Sequence, residues 1–199
     1  WSAISMNSKL FARIDNLYQR RAQLDLDGET LRVLEKSWKG FVRSGAKLDA
    51  KGKKRLAAIN EELASLGAQF GQNVLADEKN WALILDESDL AGIPDSLKSA
   101  MAEAAGIRGE KGRYAVTLSR SIYEPFMAAS GRRDLREKAF NGFIMRGQMG
   151  GANDNGQVIR KTLALRSELA KLLGYPTYAA YKLDDTMAKT PRAVLGLLE

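Results

Sequence analysis

The chain has 199 residues, of which 45% are hydrophobic and 28% charged, with a net charge of +7. A chain of that length can bury roughly 70% of its extended surface, and the composition excludes a disordered polypeptide. With neither cysteine nor histidine, it has no disulfide framework, no thiolate chemistry and no imidazole to serve as catalytic base or zinc ligand.

The sequence opens WSAISMNSKLFARID, without an initiating methionine and without the charged start, apolar middle and cleavage site of a signal peptide. Both ends read as cuts within a longer chain. Leu10, Phe11, Ile14, Leu17 and Tyr18 recur at helical spacing and predict a first helix over about residues 7–24. Asp27 is placed to cap a second helix with the stripe Leu31, Leu34, Trp38, Phe41 and Val42, and Gly45 to end it in the left-handed conformation. Two helices joined so closely should pack antiparallel. Asp49 then caps a longer helix in which Leu56, Ile59, Leu63, Leu66, Phe70 and Val74 form the clearest stripe of the chain. Gly67 and Gly71 inside it weaken a free helix by up to ~1 kcal/mol each, so close neighbours on several sides are expected.

The pattern changes at residues 81–85, a short apolar run bounded by Asp86, Glu87 and Ser88, which suits a strand. Pro94 starts a brief alanine-rich helix over residues 97–105 that Gly106 terminates, and RYAVTL (113–118) alternates as the antiparallel partner strand. Pro125 falls near the start of a helical turn carrying Phe126 and Met127. Ser130 caps the next helix, with Leu135, Ala139, Phe140, Phe143 and Ile144 as its core face. Arg132, Arg133 and Arg136 near its start oppose the helix dipole, so at least one should have a carboxylate partner elsewhere, such as Asp154 or Asp184. Gly147, Gly150 and Gly151 close this helix with a turn.

The stretch from Asn153 to Ala188 organises the rest. After a turn at residues 153–156, Val158, Ile159, Thr162, Leu163, Leu165, Leu169, Leu172 and Leu173 predict a buried helix that Gly174 and Pro176 interrupt. Tyr175, Tyr178 and Tyr181 follow three apart, then the acidic pair Asp184 and Asp185, and a further helix at Thr190 and Pro191. The tyrosine row reads as core or interface packing. The expected fold is mainly α and multi-helical, with a small antiparallel β element (about 81–86 and 113–118) inserted between helices. Its parts are helices over 1–78, a small α/β insert over 79–120 and helices over 121–199.

No pattern of residues builds a catalytic site. Glu61 with Glu62, and Asp184 with Asp185, are sequence neighbours that point apart on a helix. A carboxylate-only hydrolase would need acids converging from distant positions. Lys47, Lys51, Lys53, Lys54 and Arg55 form the densest basic cluster, but no second nucleic-acid signature accompanies it, so it reads as a solvated helix start. The glycines at 106, 109 and 112 and at 150–151 lack the strand and Gly-Lys-Ser/Thr context of a phosphate loop. No apolar run approaches the ~20 residues of a membrane span. Nucleic acid and membrane are therefore not expected partners, and the lack of cysteine suits a cytoplasmic protein.

The blocks NWALILDE, TLSRSIYEPFM, GRRDLREKAF, GGANDN and LRSELAKLLGYPTYAAYKLDDTMAKTP, in this order, resemble the thimet oligopeptidase family of zinc metallopeptidases, and within it the bacterial peptidyl-dipeptidase branch. The resemblance covers about residues 41–199 well and the first forty more loosely. It implies a long helical enzyme whose two halves flank a channel for short peptides, with one zinc held by His-Glu-x-x-His and a later glutamate. This sequence departs from that pattern: it has no histidine, so the zinc of the intact enzyme would be held outside these residues. No catalytic, cofactor-binding or metal-binding residue is assigned here. The expectation is a part of the amino-terminal helical half, inactive alone, that meets short peptide substrates and the carboxyl-terminal catalytic half of the same protein. The alternative is a non-enzymatic helical scaffold that binds an acidic partner.

Overall fold

The computed structural model of the chain describes residues 2–5 and 7–199; Trp1 and Met6, within the first stretch expected to be helical, lie outside the described residues. After a helical turn at Ser2–Ser5, the elements in chain order are α1 (Ser8–Gln19), α2 (Gly28–Arg43), α3 (Ala50–Asn80), β1 (Leu83–Leu85), α4 (Asp95–Ile107), β2 (Tyr114–Val116), α5 (Arg120–Ala129), α6 (Arg133–Ile144), α7 (Gly156–Leu172), α8 (Tyr178–Leu183) and α9 (Pro191–Leu198). The fold is mainly α with a small two-stranded antiparallel sheet. It divides into two compact units, one of residues 1–65 with 161–199 and one of residues 66–160.

In the first unit, Asn7 caps α1 by accepting from the N–H groups of Lys9 and Leu10. The helix ends earlier than expected, at Gln19, and Arg21–Gln23 continues as a 3₁₀ turn. Arg21 supplies the reason: its guanidinium donates to the Tyr18 carbonyl at 2.8 Å and lies 4.0 Å over the Tyr18 ring, satisfying a terminal carbonyl from the side. Asp27 caps α2 through the Thr30 N–H at 2.8 Å. Gly45, at φ +89°, turns the chain after it, and a Cβ there would run into Leu56. Phe11 stacks on Phe41 at 6.1 Å and Tyr18 on Trp38 at 3.9 Å, joining α1 to α2. No side chain of α1 or α2 is fully buried. Among the described residues, the unit's buried apolar side chains are instead Leu56 and Ile59 of α3, Leu165, Leu169 and Ala170 of α7, and Ala46. Arg55 and Glu168 bridge these two helices through two 2.6 Å bonds. The expectation of a wholly buried α7 is corrected: Ile159 is 40% and Leu163 59% exposed, because only one stripe of the helix meets a neighbour.

The second unit holds the larger core. Leu83, Ile84 and Leu85 pair antiparallel with Val116, Ala115 and Tyr114. Leu85, Val116, Met101, Ala105, Phe126 and Ala139 are within 1% of complete burial, in one cluster drawn from the sheet, α4, α5 and α6. Contact between the insert and the following helices makes these residues a single core, not an appendage. Several boundaries differ from expectation. Helix α4 runs through Gly106 to Ile107, and Gly109 at φ +84° makes the turn. Pro125 lies inside α5, not near its start. Ser130 does not cap α6; Arg132 holds that position, and Ser130 Oγ accepts its N–H at 3.2 Å. On α6, Leu135 and Ala139 are buried, but Phe140 and Ile144 are 46% and 48% exposed. The α3 glycines are not sites of close approach: a Cβ at Gly67 or Gly71 would meet nothing within 4 Å.

Two close fits fix the outer parts of this unit. Gly142 is required where α6 passes Trp81, since a Cβ there would overlap the indole, with Nε1 only 2.8 Å away. The turn after α6 is tied to α3 by polar groups: Asp77 Oδ2 accepts the Gly147 N–H at 2.8 Å, and buried Asn155 accepts from Asn73 at 2.9 Å and donates to the Phe70 carbonyl at 3.3 Å. Among the described residues no helix is long and apolar enough to cross a membrane.

Candidate functional site

The acidic end of the tyrosine row meets the basic face of α2. Lys39 and Arg43 are four apart on α2 and so share a face; Asp184 follows α8, whose start is capped by Thr177 through the Ala180 N–H at 3.1 Å. Asp184 Oδ2 receives three donors: Arg43 at 2.9 Å, Tyr175 Oη at 3.0 Å and Lys39 at 3.2 Å. Lys39 also donates to the Asp184 carbonyl at 3.0 Å and lies 3.8 Å from Asp185. The Arg43 guanidinium sits 4.7 Å over the Tyr181 ring, Tyr175 meets Tyr181 edge-on at 5.3 Å, and Arg166 lies 5.1 Å over Tyr178. The row that the sequence offered as packing is thus a cation–aromatic layer around one carboxylate.

Electrostatics make this carboxylate a clasp and not a base. Burial alone would raise the Asp184 pKa, but the hydrogen bonds from Lys39, Tyr175 and Arg43 outweigh it and hold it below the ordinary carboxylate value. Burial, reinforced by the hydrogen bond to Asp184, raises the Tyr175 pKa. Burial opposes the charge on Arg43, yet its bond to Asp184 leaves it more firmly protonated. A base needs an accessible proton-bound form, and the three donors on Oδ2 favour the ionised carboxylate instead.

Beside the clasp lies a cavity of about 610 Å³, walled by Tyr18 and Trp38 and bordered by Lys36, Lys39, Asp184 and Asp185. Its aromatic wall is held by polar contacts: Trp38 Nε1 donates to Asp15 at 2.7 Å, and Lys47 stands 4.6 Å over the Trp38 ring. The Trp38 bond is the chief cause of a lowered Asp15 pKa. No sequence pattern pointed to this cavity, although the i, i+3, i+4 spacing of Arg32, Glu35, Lys36 and Lys39 was open to view.

The other sequence candidates are dispersed. Of the basic cluster, Lys47 faces Trp38, Lys53 donates to Ser8 at 3.1 Å and Arg55 pairs with Glu168. Glu61 and Glu62 lie exposed on α3. The arginine at the start of α6 that has a carboxylate partner is Arg132, held by Asp134 and, at 2.8 Å, by Asp89; Asp154 and Asp184 are not its partners. The bond from Arg132 takes Asp134 down to about 2. Zinc does not fit the donors present. The chain has no histidine or cysteine, and among the described residues no three acidic side chains gather closely enough to hold a metal ion.

The model for peptidase family M3 matches residues 126–199. Dipeptidyl carboxypeptidase of Escherichia coli strain K12 is 38% identical over 196 residues, covering 98% of this chain and 29% of that protein. The dipeptidyl carboxypeptidase of Salmonella typhimurium gives the same identity and coverage. Oligopeptidase A of Haemophilus influenzae is 37% identical over 173 residues, 84% of this chain and 25% of that protein. The chain spans under a third of the length of these relatives. The likeness to these relatives runs through nearly every element described above, and residues 126–199 carry the match to peptidase family M3.

Proposed function

We propose that this chain is part of the amino-terminal helical half of a zinc metallopeptidase that hydrolyses short oligopeptides and releases dipeptides from their carboxyl ends. The observation that carries the reading is the 38% identity to a dipeptidyl carboxypeptidase over 98% of the chain. The helices form part of a channel wall, and the carboxyl-terminal half of the same protein supplies the metal ligands and the catalytic groups. The donor set supports that division, because 199 residues without histidine or cysteine offer zinc no imidazole or thiolate. The enzyme is read as cytoplasmic.

The test uses the protein at its full encoded length, incubated with a tetrapeptide bearing a free carboxyl end and followed by mass spectrometry. Release of two dipeptides, stopped by a chelator and restored by zinc, is expected. The 199 residues alone should cleave nothing. Cleavage by them that a chelator stops would refute the division of labour.

A further inference from the structure

The cavity beside α2 carries charges that the fold leaves unused. Arg32 and Lys36 stand one turn apart, and Glu35 is spaced to pair with either Arg32 or Lys39. Yet Arg32, Glu35, Lys36 and Lys189, all at the cavity, make no side-chain hydrogen bond, ion pair or ring contact with any described residue. Lys189 is held in the left-handed region at φ +60°, with the Thr190 N–H bonded to the Ala188 carbonyl across it at 2.6 Å. Such a three-residue turn is strained for a residue other than glycine, and strain of this kind gathers at binding sites. Met187 at the lip exposes its whole side chain, at 101%.

Unpaired charges of both signs around an aromatic wall exclude simple ligands. A plain anion would meet Glu35 and Asp185, and a plain cation would meet Arg32, Lys36 and Lys189. A ligand carrying both charges some ångströms apart gives Arg32, Lys36 and Glu35 each an opposite charge. We propose that this cavity binds a short zwitterionic peptide. Its α-carboxylate lies against Arg32 and Lys36, its ammonium against Glu35, and a side chain against Tyr18, Trp38 and Met187. The ends of an extended di- or tripeptide are about 7–10 Å apart, and about 610 Å³ lies within the usual range for small-ligand pockets. The proposal rests on the peptidase reading only for the source of the ligand, since peptides are what such an enzyme meets.

The test is calorimetric titration of the full encoded length with alanyl-tyrosine, in EDTA so that no bond is cut. Saturable binding is expected, weakened at least tenfold by Arg32→Ala with Lys36→Ala and by Glu35→Gln. N-acetyl-alanyl-tyrosine amide, which lacks both charges, should bind at least tenfold more weakly than the dipeptide. Absence of binding, or binding equal in all variants, overturns the proposal. So does equally strong competition by inorganic phosphate, which marks a plain anion site. Hydrolysis by the zinc-loaded protein is read separately. Hydrolysis without variant-sensitive binding defeats this inference alone, and binding without hydrolysis defeats the peptidase reading alone.

Discussion

Replacing Asp184 by alanine removes the one oxygen on which Arg43, Tyr175 and Lys39 converge. Lys39 loses little: its side chain is 36% exposed, it keeps the Asp184 carbonyl at 3.0 Å, and water can replace the carboxylate. Arg43 is only 14% exposed, so its charge is left partly desolvated without a counter-ion. Exposed pairs contribute up to ~1 kcal/mol and breaking buried ones costs ~3–5; this pair lies between, and the Tyr175 bond adds ~1. The expected loss is about 2 kcal/mol, a fall in Tm of roughly 4–8 °C for a domain this long. Urea unfolding followed by circular dichroism at 222 nm measures it. Asp185→Ala is the control, since Asp185 is 55% exposed and reaches only Lys39 at 3.8 Å, and it should cost a few tenths of a kcal/mol. Equal losses in the two variants would show that the Asp184 carboxylate is not what holds Arg43 and Tyr175. A carboxyl whose pKa is lowered on folding adds stability above its unfolded value of about 3.8 and loses it as pH falls through the folded value. Wild type should therefore lose more stability than Asp184→Ala on acidification below about pH 4.

Other expectations follow from the second unit. Asn155→Ala should cost about 1–3 kcal/mol in the same assay, because Asn155 is 1% exposed and its loss leaves the half-buried Asn73 amide without its partner and removes a second bond to the Phe70 carbonyl. Phe126→Ala, at 0% exposure in the middle of the core, should cost about 3–5 kcal/mol. Gly142→Ala should displace the Trp81 indole, cost about 1–3 kcal/mol and shift the tryptophan emission; unchanged emission would contradict the close fit.

Helix existence and the strand pair were legible because period and capping are local: Asp27, Asn7 and Thr190 each cap the helix they precede. What local patterns missed depends on which side of a helix meets a neighbour. Ile159, Leu163, Phe140 and Ile144 are apolar residues at helical spacing, yet they stand exposed. Arg21 ended α1 through a side-chain bond to a carbonyl, which periodicity cannot register. The clasp at Asp184 joins residues 141 positions apart, so the sequence showed the tyrosines and the acid but not the Lys39 and Arg43 that organise them. The family blocks reached further than residue chemistry did: they gave the kinship, while the residues themselves named no catalytic group.

On the proposed function, these helices serve a zinc peptidase whose metal is held by residues outside them. The most direct measurement is the metal content of the protein at its full encoded length beside that of residues 1–199 alone, by mass spectrometry after zinc loading and dialysis. One zinc per chain is expected in the former and none in the latter, with peptide cleavage following the metal. Stoichiometric zinc on residues 1–199, or a full encoded length that binds none, would contradict it.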